Sequence, residues 1–206
     1  MFNTIEGDSS AEYVEKKSKF IANMTYVETV EEAENYIKEI RKKYFDARHN
    51  CYAFSVITKE GTVDRFSDDG EPSGTAGAPM LNLLTSQNIT NVVVVVTRYF
   101  GGVLLGTGGL LRAYSEATNG AIDKANIVQK DNGKEVLLEV SYQDFEKLKY
   151  YCTKNEINIV STIYKEQVEV YIDIIDEKLG NLRNNINELN FKIEKIEVIK
   201  EKFVRV

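Results

Sequence analysis

The chain has 206 residues, 26 Lys plus Arg against 32 Asp plus Glu, and a formal net charge of −6. That length fits one large domain or two small ones, and the acidity excludes a broad basic coat for tight duplex binding while permitting RNA or nucleotide binding through a local patch. With 43% hydrophobic and 28% charged residues, one histidine (His49) and two cysteines (Cys51, Cys152), the composition excludes a disordered chain, a disulfide scaffold and any catalytic or metal set needing two histidines.

Residues 11–27 read as a hairpin, two β-like runs around the polar turn Lys16-Lys17-Ser18. Thr29-Val30-Glu31-Glu32 matches a capping box, in which a hydroxyl and a carboxylate satisfy the orphan amides of a helix start. Ala33, Ile37, Ile40 and Tyr44 then fall on one helical face. Cys51–Thr58 and Gly61–Phe66 form a second hairpin, and a loop from Ser67 to Thr75 leads to a short helix near Ala78–Leu84. Val92–Val96 is a run of valines, a strand buried on both faces. It is far too short to span a bilayer, and MFNTIEGDSS has neither the basic start nor the apolar stretch of a secretion signal. A cytoplasmic protein with no membrane partner is expected.

A glycine run from Gly101 to Gly109 precedes a helix with Leu110, Tyr114, Ala117 and Ala121 on one face. Asp131-Asn132-Gly133 is a turn signal and the expected boundary between domains 1–131 and 135–206. The second domain reads strand 136–140, then a helix opened by the capping box Ser141–Asp144 and carrying Phe145, Leu148 and Cys152. Alternating strands 157–164 and 167–174 follow, then a helix with Leu179, Leu182, Ile186 and Leu189, and a last strand 191–198 with a slip at Glu194-Lys195. The order β-α-β-β-α-β is ferredoxin-like, so the fold class is α+β.

Nine of the 13 glycines and both prolines, Pro72 and Pro79, lie between Gly61 and Gly109. In Asp68–Pro79, small residues precede a helix. Its backbone amides and partial positive charge suit an anion, so Ser73, Gly74, Thr75 and Gly77 form a candidate phosphate site; the other reading is a tight connection needing positive φ. Asp68, Asp69 and Glu71 form a candidate Mg²⁺ site or a solvated acidic turn. Gly101, Gly102, Gly106, Thr107 and Gly108 match neither phosphate-loop fingerprint. Thr107 stands where a Walker loop needs Lys, and Leu111 stands where a dinucleotide loop needs glycine. The run still suits an anion cradle flanked by Arg98 and Arg112, unless Arg112 simply pairs with Glu116. Arg48 and His49 adjoin it in sequence pattern, and Tyr99 and Phe100 suit stacking on bases or packing in a core. His49 and Cys51 share a strand face, an arrangement open to a thiolate–imidazole pair, although the apolar neighbours favour a packed Cys51.

Ser18–Ala22, Ala47-Arg48-His49-Asn50-Cys51, Asp68–Met80 and Val96–Tyr114 together resemble the IMPACT/YigZ family, over residues from about 12 to about 125. The resemblance implies a first domain like domain IV of elongation factor G and the N-terminal fold of GHMP kinases. It also implies a ferredoxin-like second domain, similar to the last domain of elongation factor G, as in bacterial members. Eukaryotic members are translational regulators that carry a further N-terminal interaction domain. The resulting expectation is a translation-associated regulatory protein that binds RNA, ribosome or a nucleotide phosphate at the glycine-rich quarter. The alternatives are an enzyme acting on a phosphorylated small molecule and a protein–protein interaction module; the residues assign no catalytic group.

Overall fold

The structure is a computed structural model that describes the backbone of residues 1–206 and every side chain except that of residue 187. The chain divides into two compact units, Phe2–Val128 and Met1 with Gln129–Val206.

In the first unit, β1 (Phe2–Glu6) precedes β2 (Ser9–Glu15) and β3 (Ser18–Tyr26). β2 and β3 pair with Glu15 opposite Ser18, so Lys16 and Lys17 alone make the turn, at φ 45° and 66°. Helix α1 (Val30–Lys43) starts at Thr29, whose hydroxyl accepts the Glu32 amide at 3.1 Å. The returning Glu32 carboxylate accepts the amide of Glu28, one residue before the cap, at 2.6 Å. β4 (His49–Thr58) and β5 (Gly61–Ser67) form the second hairpin. Helix α2 (Gly77–Ser86), β6 (Val92–Tyr99) and α3 (Gly106–Lys124) follow. The glycine run therefore does not end before the helix: Gly106, Thr107 and Gly108 are its first turn.

The sheet is antiparallel, in the order β2-β3-β6-β4-β5. β6 is central, and its valines divide by pleat. Val92, Val94 and Val96 join Phe20, Met24, Cys51, Leu110 and Tyr114 in the core beneath α2 and α3. Val93 and Val95 join Ile37, Ile40, Phe54 and Val56 beneath α1. Burial on both faces is why the run has no polar alternation.

The second unit takes β7 (Asn126–Val140) from residue 129 onward, then α4 (Tyr142–Lys154), β8 (Asn158–Tyr164), β9 (Val168–Ile175), α5 (Asp176–Asn184), a short 3₁₀ turn and β10 (Ile193–Arg205). Its antiparallel strand order, β10-β7-β9-β8, is the ferredoxin-like one. Ser141 caps α4 by accepting the Asp144 amide at 3.2 Å, and the β10 register shifts between Ile193 and Lys195, where alternation slips. Asp131-Asn132-Gly133 is not a turn; β7 runs through it. A Cβ at Gly133 would collide with the Ile174 carbonyl and the Val204 side chain, so close strand packing, not chain reversal, requires glycine there.

Val94 is fully buried at the centre of the sheet. Val94→Ala is expected to lower stability by about 2 kcal/mol and exposed Val14→Ala by under about 0.5 kcal/mol, read as shifts in the urea midpoint.

Candidate functional site

The loop joining β5 to α2 is built on three carboxylates, each with its own partners. Asp68 Oδ1 accepts the amides of Ala76 (3.0 Å) and Gly77 (2.8 Å), and Oδ2 accepts that of Gly74 (2.8 Å). Thr75 donates its hydroxyl to the Pro72 carbonyl at 2.7 Å. The helix start expected to cradle an external phosphate thus already holds an anion from its own chain, so Gly74 and Gly77 are engaged and Ser73 and Thr75 only flank the clasp. Gly77 must be glycine for a second reason: a Cβ would lie 2.8 Å from the Ser67 amide nitrogen.

Asp69 takes a positive φ of 42° and reaches back to α1 and β4. Its Oδ1 meets Arg41 at 2.7 Å and its Oδ2 accepts the Asn50 amide at 2.7 Å. Glu71 turns inward. Its Oε1 accepts from Arg98 Nη1 at 2.7 Å and from the Tyr114 hydroxyl at 2.9 Å. The side chains of this ion pair are only 8% and 3% exposed. Asp68, Asp69 and Glu71 therefore do not converge as an Mg²⁺ site would require, and among the described residues no group of three His, Cys, Asp or Glu is arranged to hold a metal.

At the same end of the sheet lies a cleft of about 630 Å³, lined by Asp46, Arg48, His49, Arg98, Tyr99, Phe100 and Leu104. The strands bring them together: His49 on β4 sits opposite Arg98 on β6, and Phe20 on β3 sits opposite Arg98 on its other side. The Arg98 guanidinium lies 5.5 Å from the Phe20 ring and 5.7 Å from the exposed Phe100 ring. Its main partner is Glu71, so Arg98 is an internal strut with one edge in the cleft rather than a free anion reader. His49 Nδ1 is 2.9 Å from the Asp69 carbonyl, which can only accept, so Nδ1 carries a proton and Nε2 is left uncommitted. Arg48 is exposed and makes no ion pair among the described residues. Leu104 is 84% exposed.

The Tyr99 hydroxyl donates to Asp46 Oδ1 at 2.7 Å, and that bond raises the Tyr99 pKa to about 12. Asp46 and Leu104 escaped the sequence reading because neither belongs to a recognisable motif; the chain reversal between α1 and β4 and the loop after β6 bring them in. Gly101 packs so closely on the β2–β3 turn that a Cβ would overlap the backbone of Lys17 and Ser18, and its amide donates to Ser18 Oγ at 3.1 Å. Gly102 is exposed at φ 83°, and the first turn of α3, with Gly106, Thr107 and Gly108, is exposed and has no side-chain cap. Arg112, one turn on, pairs neither with Glu116 nor with any other described carboxylate.

Cys51 is fully buried and donates to the Asp68 carbonyl at 2.9 Å; burial pushes its thiol pKa upward. That removes the nucleophile from the His49–Cys51 arrangement.

The family model described as Impact N-terminal domain matches residues 16–122. The chain belongs to the IMPACT family. A second model, Domain of unknown function (DUF1949), matches residues 138–189. The IMPACT family member YvyE of Bacillus subtilis (strain 168) is 34% identical over 178 residues, covering 86% of this chain and 81% of its own. The IMPACT family member YigZ of Escherichia coli (strain K12) is 35% identical over 151 residues, covering 73% and 74%. A solved structure titled as that of a hypothetical protein aligns over 98% of both chains at 28% identity and a TM-score of 0.64. Within the IMPACT family fold, no helix among the described residues is long and apolar enough to cross a membrane.

Glu71→Ala strands Arg98 in the interior and is expected to cost about 3–5 kcal/mol, whereas Glu71→Gln, which keeps an acceptor, costs less; urea unfolding of both variants checks this. Native protein is expected to resist thiol titration at both buried cysteines at pH 8, and to expose two thiols in denaturant.

Proposed function

We propose that the chain is a translation-associated regulatory protein whose first unit binds RNA of the translation apparatus through the cleft at the β4–β6 end of its sheet. One observation carries this reading. Six cations without an ion-pair partner among the described residues gather at that end: Lys16 and Lys17 in the β2–β3 turn, Lys42 and Lys43 at the end of α1, Arg48 before β4, and Arg112 on α3. The far end of the same sheet is acidic on balance, with Asp8, Glu28, Glu31, Glu32, Glu60 and Asp123 against Lys59 and Lys124. The acidic chain thus has a positive end on its first unit, and that end contains a cleft with an exposed aromatic ring.

Phosphates meet Arg48 and the lysines, the uncapped first turn of α3 adds partial positive charge, and Phe100 offers a face for a base. Support for a translation role comes from the family resemblance, which implies that eukaryotic members are translational regulators. The enzyme reading has no support at this site, because the buried Cys51 thiol cannot attack and each nearby carboxylate except Asp46 is engaged by backbone or by arginine.

Affinity for a ten-nucleotide single-stranded RNA is expected to fall about tenfold or more between about 50 and about 200 mM salt. Arg48→Ala should weaken binding several-fold and reduce the slope of log K against log salt by about 0.7. Fluorescence anisotropy measures both. Absent or salt-independent binding by folded protein overturns the proposal, and binding of mononucleotides alone would replace RNA with a nucleotide as the ligand. Arg48 is the appropriate probe, because Arg98→Ala would first strand Glu71.

A further inference from the structure

We propose, resting on the reading of this cleft as an RNA site, that Asp46 makes it select an unpaired guanine. The cleft's volume, about 630 Å³, lies within the range of small-ligand sites and leaves room for a single base with part of its sugar-phosphate. A base stacked inside a duplex cannot enter such a cleft, whereas one splayed out of a single strand can lie against an aromatic or apolar wall. Phe100, 57% exposed, and Leu104 supply that wall.

The polar groups on the lining decide which base. Arg98 is held by Glu71, and His49 Nδ1 by the Asp69 carbonyl. Whereas His49 Nε2 offers only a single lone pair, Asp46 is the carboxylate of the lining. Tyr99 donates to its Oδ1, which fixes the carboxyl group's orientation and still leaves one lone pair on Oδ1 and both on Oδ2. A fixed carboxylate is matched by two adjacent donors. Guanine alone among the four RNA bases offers them, as N1–H beside the N2 amino group. Adenine and cytosine each set an amino group beside a ring acceptor, and uracil flanks its N3–H with two carbonyls, so each of those would face the carboxylate with an acceptor. Asp46 is therefore a specificity-determining residue, and Tyr99 is a positioning residue that acts through it.

The test uses the full chain and four uridine decamers that carry G, A, C or U at one central position, read by anisotropy at one low salt concentration. The G decamer is expected to bind about tenfold tighter than the others, the discrimination of one bidentate pair. Asp46→Asn should bring the G decamer to the level of the rest, and Tyr99→Phe should narrow the preference. Arg48→Ala should weaken all four by a like factor and preserve their ratio. Equal affinity of the wild type for the four decamers overturns the guanine assignment and leaves the RNA reading intact. A preference for G that survives Asp46→Asn overturns the role of Asp46. Absence of binding to all four overturns the RNA reading, and this inference with it.

Discussion

The first unit depends on the ion pair between Glu71 and Arg98. It is almost wholly buried, shared with the Tyr114 hydroxyl, and joins three separate pieces of chain: the loop before α2, the end of the central strand and the third turn of α3. Burying two charges is expensive, and an apolar substitute would often be as stable, so net stability is a weak explanation for it. What the pair supplies is position. With the Phe20 and Phe100 rings both against its guanidinium and Glu71 on its Nη1, Arg98 is held in place, and the floor of the cleft is set by that place. Phe20 in turn meets the Tyr114 ring edge-on at 5.0 Å, so the same residues that neutralise the charge also close the apolar core.

Asp68 shows a similar economy on the loop's outer side. Two backbone amides that a helix start leaves without partners, Ala76 and Gly77, and the loop amide of Gly74 are bound by one carboxylate from the chain itself. The physics that makes such a loop attractive to phosphate is present. The loop is ordered by it rather than kept available for a ligand, and Asp69 and Glu71, held next to Asp68 in sequence, reach in two other directions to α1 and β6.

This explains which parts of the protein were legible from sequence. Capping boxes, the lysine turn, the split valine run and the β-α-β-β-α-β order are local patterns, and local patterns survive translation into structure. The motif Asp68–Pro79 was legible as an anion-binding helix start but not as a filled one, because small residues before a helix look the same whether the anion comes from eight or nine residues back in the chain or from another molecule. Arg98 and Glu71 are 27 residues apart and meet only through the loop's fold, so both could be named as candidates without being paired. Asp131-Asn132-Gly133 misled for a related reason: glycine is required where β7 passes the Ile174 carbonyl, and a tight packing need carries the same letters as a turn.

The net charge of −6 is itself a sum that conceals an arrangement. In the first unit the strand directions send the β2–β3 turn, the end of α1, the start of β4 and the start of α3 to one end of the sheet. Lysines and arginines occupy those four places, while Asp68, Asp69 and Glu71 at that end are matched to backbone amides or to Arg41 and Arg98. Asp46 and Glu15 have tyrosine hydroxyls as partners rather than cations, and of the two Asp46 lines the cleft. An exposed carboxyl group left unmatched at the positive end of a sheet, and aligned by its neighbour, is poorly accounted for as charge balance. It is better accounted for as an acceptor facing the cleft, where the surrounding cations favour an anionic ligand and the carboxylate restricts which one.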